Sequence, residues 1–154
     1  MKNIFIYLLI FSLTTGCAKK SMVQKIESRT ILNHIALYVI DLKTSTDFYR
    51  NIIELDTIPE PFHDNKHTWF QVDTHSHLHL IQGAKEKVPH DKNTHICFSV
   101  KNIESITRLL DAGKFVYENW AGEKNKMTTR VDGIHQIYFQ DPDGYWIEIN
   151  DDRK

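Results

Sequence analysis

The sequence predicts an α+β fold built from one unit used twice, and three observations carry that prediction. A β-prone strand opening with histidine occurs in each half, at His34 and again at His95. A capped, amphipathic helical segment follows each of these strands. Each half then ends on a strand whose central polar residue has apolar neighbours, Leu78-His79-Leu80 in the first and Ile147-Glu148-Ile149 in the second. The order implies two βαβββ modules, residues 30–83 and 93–150, inside one domain spanning 30–152. Neither half can bury a core alone, so the two must pair.

The elements follow in order. His34 to Val39 reads as a strand, apolar and β-prone. Asp41 to Leu55 reads as a helix capped by Thr44 or Ser45, with Phe48, Ile52 and Leu55 on one face. A short strand near Leu55 to Ile58 and a strand pair, Thr68 to Asp73 and His77 to Gln82, complete the first module. The second begins with the strand His95 to Val100. Asn102 to Gly113 is a helix capped by its asparagine, with Ile103, Ile106 and Leu110 on its face and Gly113 at its C-terminus. Strands are expected at Phe115 to Glu118, Ile134 to Phe139 and Tyr145 to Asn150, the last two joined by the turn Asp141-Pro142-Asp143-Gly144.

The N-terminus is not part of this pattern. Lys2 supplies a positive start, Ile4 to Leu13 is apolar, and Thr14-Thr15-Gly16 precede Cys17. This ten-residue, largely apolar stretch is too short for a stable membrane-spanning helix, so residues 1–17 read as a processed export signal. Cys17 directly after Gly16 resembles a bacterial lipobox, with Thr14 where a leucine is usual. That resemblance implies lipidation at Cys17, a tether over residues 18–29, and an exported protein anchored to a bacterial membrane by its lipid alone. Cys97 is then a lone thiol. A chain of 154 residues with a net charge of −1 holds a single domain and gives no reason to expect a nucleic-acid partner.

His34, His79, His95 and Glu148 are the candidate metal ligands. They occupy equivalent positions of the duplicated unit, and strand alternation turns His79 and Glu148 away from their apolar neighbours. Imidazole with carboxylate suits Zn, Ni, Mn, Fe or Co as a divalent ion. His63, His67, His75, His77, His90 and His135 read as surface residues, with His77 the alternative ligand because it shares a strand face with His79. Cys97, Trp146 and Tyr38 fall on the same side as the ligands, where they line or fill a pocket.

The segments HIALYVIDLKTSTDFYRNIIEL, LHLI, HICFSV and DPDGYWIEI resemble the four ligand-bearing motifs of glyoxalase I and the vicinal-oxygen-chelate superfamily, across nearly all of residues 31–150. The resemblance implies a curved, half-barrel mixed sheet and one divalent metal on His34, His79, His95 and Glu148. It implies a lyase or isomerase whose small substrate chelates the metal through two vicinal oxygens, with Glu148 as ligand and catalytic base. In that superfamily two modules combine within one chain or across a dimer; the segment between Gln82 and His95 is long enough for either, and the favoured arrangement is a homodimer whose sites combine His34 and His79 of one chain with His95 and Glu148 of the other. Two departures stand out. The second ligand is His79 where glutamate or glutamine is usual, and Tyr38 and Gly83 replace the arginine and asparagine that hold glutathione. Two other readings stay open: extradiol ring cleavage using His34, His95 and Glu148, and a non-catalytic binder of a small molecule or metal.

Overall fold

The structure, a computed structural model, describes residues 30–153. The expected signal, tether and Cys17 lipid site lie outside the described residues. Ten elements follow one another: β1 (His34–Val39), α1 (Leu42–Asn51), β2 (Thr57–Ile58), β3 (His67–Gln71), β4 (His77–Gln82), β5 (His95–Ser99), α2 (Ile103–Ala112), β6 (Thr128–Thr129), β7 (His135–Gln140) and β8 (Trp146–Asn150). Each half has the βαβββ order, and the sheets are mixed, β1 running parallel to β4 and β5 parallel to β8. Among the described residues no helix is long and apolar enough to cross a membrane.

The expected curved half-barrel does not form. The strands make two separate four-stranded sheets, ordered β1-β4-β3-β2 and β5-β8-β7-β6, neither closed nor strongly curled. A half-barrel across both modules needs a hydrogen-bonded seam between edge strands, and side chains already occupy that edge of β1. The Tyr145 hydroxyl accepts from the Tyr38 amide at 3.2 Å, and Asp143 Oδ1 accepts from the Ile40 amide at 2.7 Å. The outer strands β2 and β6 are two residues long, so each sheet has only three strands of useful length. Twist has too little width in which to accumulate as curl.

Local chemistry explains where the helices start and stop. Asp41, not Thr44 or Ser45, caps α1: its carboxylate accepts from the Thr44 amide at 2.7 Å. The helix also ends four residues early, and Glu54 follows in the left-handed region at φ 62°. Asn102 caps α2 as expected, accepting from the Ser105 amide at 2.9 Å. Gly113 closes it for an unexpected reason. Its own φ is −79°, the left-handed turn falling on Lys114, but a Cβ there would stand 2.8 Å from the Phe115 ring. Phe115 to Glu118 forms no strand; Glu118 alone makes isolated bridges to Tyr138 and Lys124, and β6 takes the second-strand place of the module.

One hydrophobic core joins the modules. Leu37, Val39, Phe70, Leu78 and Leu80 from the first sheet and Ile137, Phe139, Ile147 and Ile149 from the second belong to the same buried cluster as Phe48, Tyr49, Ile106 and Leu110 of the helices. The Asp141–Gly144 turn clasps α1 across the join. Tyr49 donates to Asp141 Oδ2 at 2.8 Å and Ser45 to Asp143 Oδ2 at 2.5 Å, all four side chains being buried. Tyr49→Phe should therefore cost about 1–3 kcal/mol, the range for leaving a buried acceptor short of a donor. Urea unfolding of the two proteins measures it; an unchanged midpoint would show that the clasp adds nothing.

Candidate metal centre

Alternation gives each sheet an inner face in the shared core and an opposite, open face. On the first sheet His34, His77 and His79 lie on the open face with Trp69 and His67. His79 is buried there between two flat neighbours: the Trp69 ring is parallel to it at 3.9 Å, and the His34 ring stacks on it at 4.3 Å. His79 Nε2 is buried with no hydrogen-bond partner, and so is Trp69 Nε1. Burial, and then the neighbouring His34, His77 and His67, bring the His79 pKa down to about 4. Its ring therefore stays neutral, with a lone pair to offer, through the physiological range. Asn33 Oδ1 lies 2.7 Å from His34 Nδ1 and orients that ring through one nitrogen.

On the second sheet β5, β8 and β7 place Cys97, Glu148 and Tyr138 side by side in register on the open face. His95 Nε2 stands 3.1 Å from Glu148 Oε2. The other ring nitrogen, Nδ1, lies 2.8 Å from the Lys92 carbonyl, which can only accept, so it carries the hydrogen. Nε2 is thus the ring atom that faces the Glu148 carboxylate, and it donates to Oε2 when it too carries a hydrogen. Without that hydrogen the two atoms are a nitrogen and an oxygen donor, close enough together that both could hold one divalent ion.

Glu148 is suited to being the anion of such a site. Burial alone would raise its pKa, but hydrogen bonds from Tyr138, Asn150, Cys97 and Gln136 outweigh it and bring the value below the ordinary glutamate value. Cys97 Sγ at 3.3 Å and Asn150 Nδ2 at 3.1 Å both donate to Oε1, which leaves Oε2 facing His95. The same contacts have the opposite effect on the donors. Burial and then Glu148 push the Cys97 thiol up to about 12, and burial raises Tyr138 as well. Cys97 is thus a protonated hydrogen-bond donor beside the carboxylate, not a thiolate.

The four sequence-predicted ligands arrive as two pairs, His34 with His79 and His95 with Glu148. Among the described residues no group of three or more His, Cys, Asp or Glu side chains gathers for a metal. The four therefore do not converge within one chain. The reason is the common core: both inner faces are committed to it, so both open faces point away from it. The orphaned Nε2 of His79 and the His95–Glu148 contact nevertheless fit a divalent ion, one pair at a time. Sequence reasoning missed several neighbours of the pairs. His67, expected at the surface, has a side chain only 17% exposed. Trp69, Phe62, Tyr138 and Asn150 were not singled out, although alternation from His79 and Glu148 would have placed Trp69, Tyr138 and Asn150 beside them.

Residues 31–149 match the family model of the Glyoxalase/Bleomycin resistance protein/Dioxygenase superfamily. The chain belongs to that superfamily. Among curated relatives, metallothiol transferase FosB of Staphylococcus epidermidis is 27% identical over 125 residues, covering 79% of this chain and 81% of FosB. Solved structures of the superfamily share the fold. The oxidase ChaP-H1 superposes with a TM-score of 0.65 at 25% identity, over 79% of this chain and 94% of its own. The fosfomycin resistance protein FosX of Listeria monocytogenes gives 0.62 at 23% identity, over 79% and 91%. Glyoxalase-superfamily membership supports an enzymatic role acting on a small molecule, and members of the superfamily commonly bind a divalent metal.

Proposed function

We propose that this glyoxalase-superfamily chain is a divalent-metal-dependent lyase or isomerase that works as a homodimer with shared sites. His34 and His79 of one chain and His95 and Glu148 of the other hold the ion. One observation carries the reading: each open face bears two of the four candidate ligands, with His79 Nε2 buried and lacking a partner on one and His95 Nε2 beside the Glu148 carboxylate on the other. A second copy, not a second cluster in the same chain, completes both. When bound, the ion acts as a Lewis acid toward a substrate presenting two vicinal oxygens. Glu148 supplies the negative charge, and its lowered basicity favours ligation over proton abstraction unless the substrate proton is itself made acidic. Trp69 and His34 cover both faces of the His79 ring and fix its aim.

Deuterium exchange tests the reaction class. The metal-loaded protein should exchange the carbon-bound proton of a simple 2-hydroxy ketone with solvent, as measured by NMR. Absence of exchange, together with oxygen uptake on adding a catechol, would transfer the reading to ring cleavage. Similarity to metallothiol transferase FosB favours a second reading, metal-dependent transfer of a thiol. That reading requires an external thiol, because Cys97 is held protonated. Consumption of free thiol in the presence of an electrophile, dependent on the metal, would establish it.

Glutathione hemithioacetal should be a poor substrate. Tyr38 and Gly83 fill the positions expected to hold glutathione, and they fill them together: a Cβ at Gly83 would stand 2.8 Å from a Tyr38 ring carbon. A larger residue fits at 83 only if the half-exposed Tyr38 ring moves aside. A kcat/KM above roughly 10⁴ M⁻¹ s⁻¹ would refute this. Export and lipid attachment at Cys17 are part of the same proposal. Cys17→Ser should abolish incorporation of labelled lipid, and unchanged labelling would remove the anchor from it.

A further inference from the structure

The open face of the first sheet is a pocket of about 440 Å³, within the size range of small-molecule sites. None of its nine lining residues is Lys, Arg, Asp or Glu. Its walls are Ala36, Phe62, Trp69 and Ile81, with the ligand imidazoles His34 and His79 among them. Phe62 is the unusual member. It is 58% exposed, yet the loop before β3 holds it in place over the pocket, 4.6 Å from the His67 ring and 6.1 Å from Trp69.

The loop is built to do this. Glu60 accepts from the amides of Phe62 at 2.6 Å and His63 at 2.9 Å. Asp64 accepts from the Lys66 amide at 2.9 Å and lies 2.8 Å from His67 Nδ1. His63 and Asn65 occupy the left-handed region at φ 51° and 57°, which side-chain-bearing residues avoid unless surrounding contacts hold them there. The contacts spent on this loop present a phenyl ring to the pocket rather than to the core.

The second sheet is matched in character. Trp120, 47% exposed, meets Tyr138 edge-on at 5.5 Å beside His95 and Glu148. The cation there, Lys92, lies 5.4–5.6 Å from the centroids of Trp120, Tyr138 and Trp146, and Glu118 neutralises it at 2.5 Å. Both halves thus offer aromatic surface, and the cations nearest Glu148 among the described residues, Lys92 and Arg130, are each already paired with a carboxylate, Glu118 and Asp132.

We infer that the substrate is a planar aromatic chelator with no charged tail, and that Phe62 and Trp69 form the wall that receives its ring. This rests on the shared metal site proposed above and adds the chemical class of the molecule. The ring stacks against the aromatic wall while its two oxygens reach the ion, so affinity divides into a chelating part and a ring part. Phe62 is a specificity residue; it holds no metal and moves no proton.

Two hydroxamates that share a chelating group and differ in the ring test this. Acetohydroxamate and benzohydroxamate are titrated against the dimer loaded with the divalent ion that fills it, each affinity being corrected for binding to the same ion in solution. Benzohydroxamate should bind at least about 10-fold more tightly, the equivalent of about 1.4 kcal/mol. Phe62→Ala should cut that preference several-fold without changing metal content or acetohydroxamate affinity, and Phe62→Tyr should keep it. Equal affinity of the two probes overturns the inference and leaves the metal site standing. Tighter binding of phosphonoacetate than of benzohydroxamate overturns it on charge. Dissociation of the Phe62→Ala dimer overturns it by making Phe62 a subunit contact. If no ion binds, or neither hydroxamate binds the loaded protein, the metal-site reading fails and takes the inference with it.

Discussion

Replacing His95 with alanine should abolish stoichiometric metal binding while the protein stays folded. Changes to residues that only orient a ligand typically cost 10–100-fold in metal affinity, so removing a ligand should cost more than about 100-fold. The fold should tolerate the change, because His95 lies on the open face and contributes nothing to the shared core. Glu148 keeps its contacts to Asn150 and Cys97, so its carboxylate is not left bare. Elemental analysis of the purified variant beside wild type gives the answer. Wild-type metal content in His95→Ala would end the site assignment, whatever the dimer does.

Mixing two dead variants should restore metal binding. His34→Ala protein keeps its His95–Glu148 pair and Glu148→Ala protein keeps its His34–His79 pair, so a shared-site heterodimer has one site with all four ligands. Neither homodimer has any. The effect is all or none at each site, which separates shared sites from sites within one chain more sharply than any single variant can. After co-refolding or subunit exchange, metal should appear in the mixture and in neither parent. A monomer by sedimentation that binds one full equivalent of metal would refute the shared-site proposal and place the ligands within a single chain.

Much of the fold is legible without coordinates because its signals are local. The strand beginning at His34, the strand from His77 to Gln82 and the Asn102 cap of α2 all follow from alternation or from one side chain reaching one amide. The errors arise where two local signals compete or where the partner is remote. Asp41, Thr44 and Ser45 can all cap a helix. Asp41 caps α1 because Ser45 is turned inward to Asp143, 98 positions away in sequence. Gly113 looks like a left-handed terminator, but it is needed for its missing Cβ beside Phe115. The half-barrel failed for a comparable reason: Tyr145 and Asp143 claim the β1 edge that a continuous sheet would have used.

The candidate site divides in the same way. The sequence by itself determined the two βαβββ modules, superfamily membership and the identity of the four candidate ligands, because each depends on residue type and on a strand period of two. It could not reveal that the four come as two pairs on faces turned away from each other's module. Only the tertiary structure decided that, by committing both inner faces to one core and leaving two of the four candidate ligands on each open face. It alone decided as well that Trp69 lies flat on His79, that Tyr38 fills the space over Gly83, and that burial and then Glu148 raise the Cys97 pKa. These outcomes depend on distances between residues far apart in the chain, which no local pattern encodes.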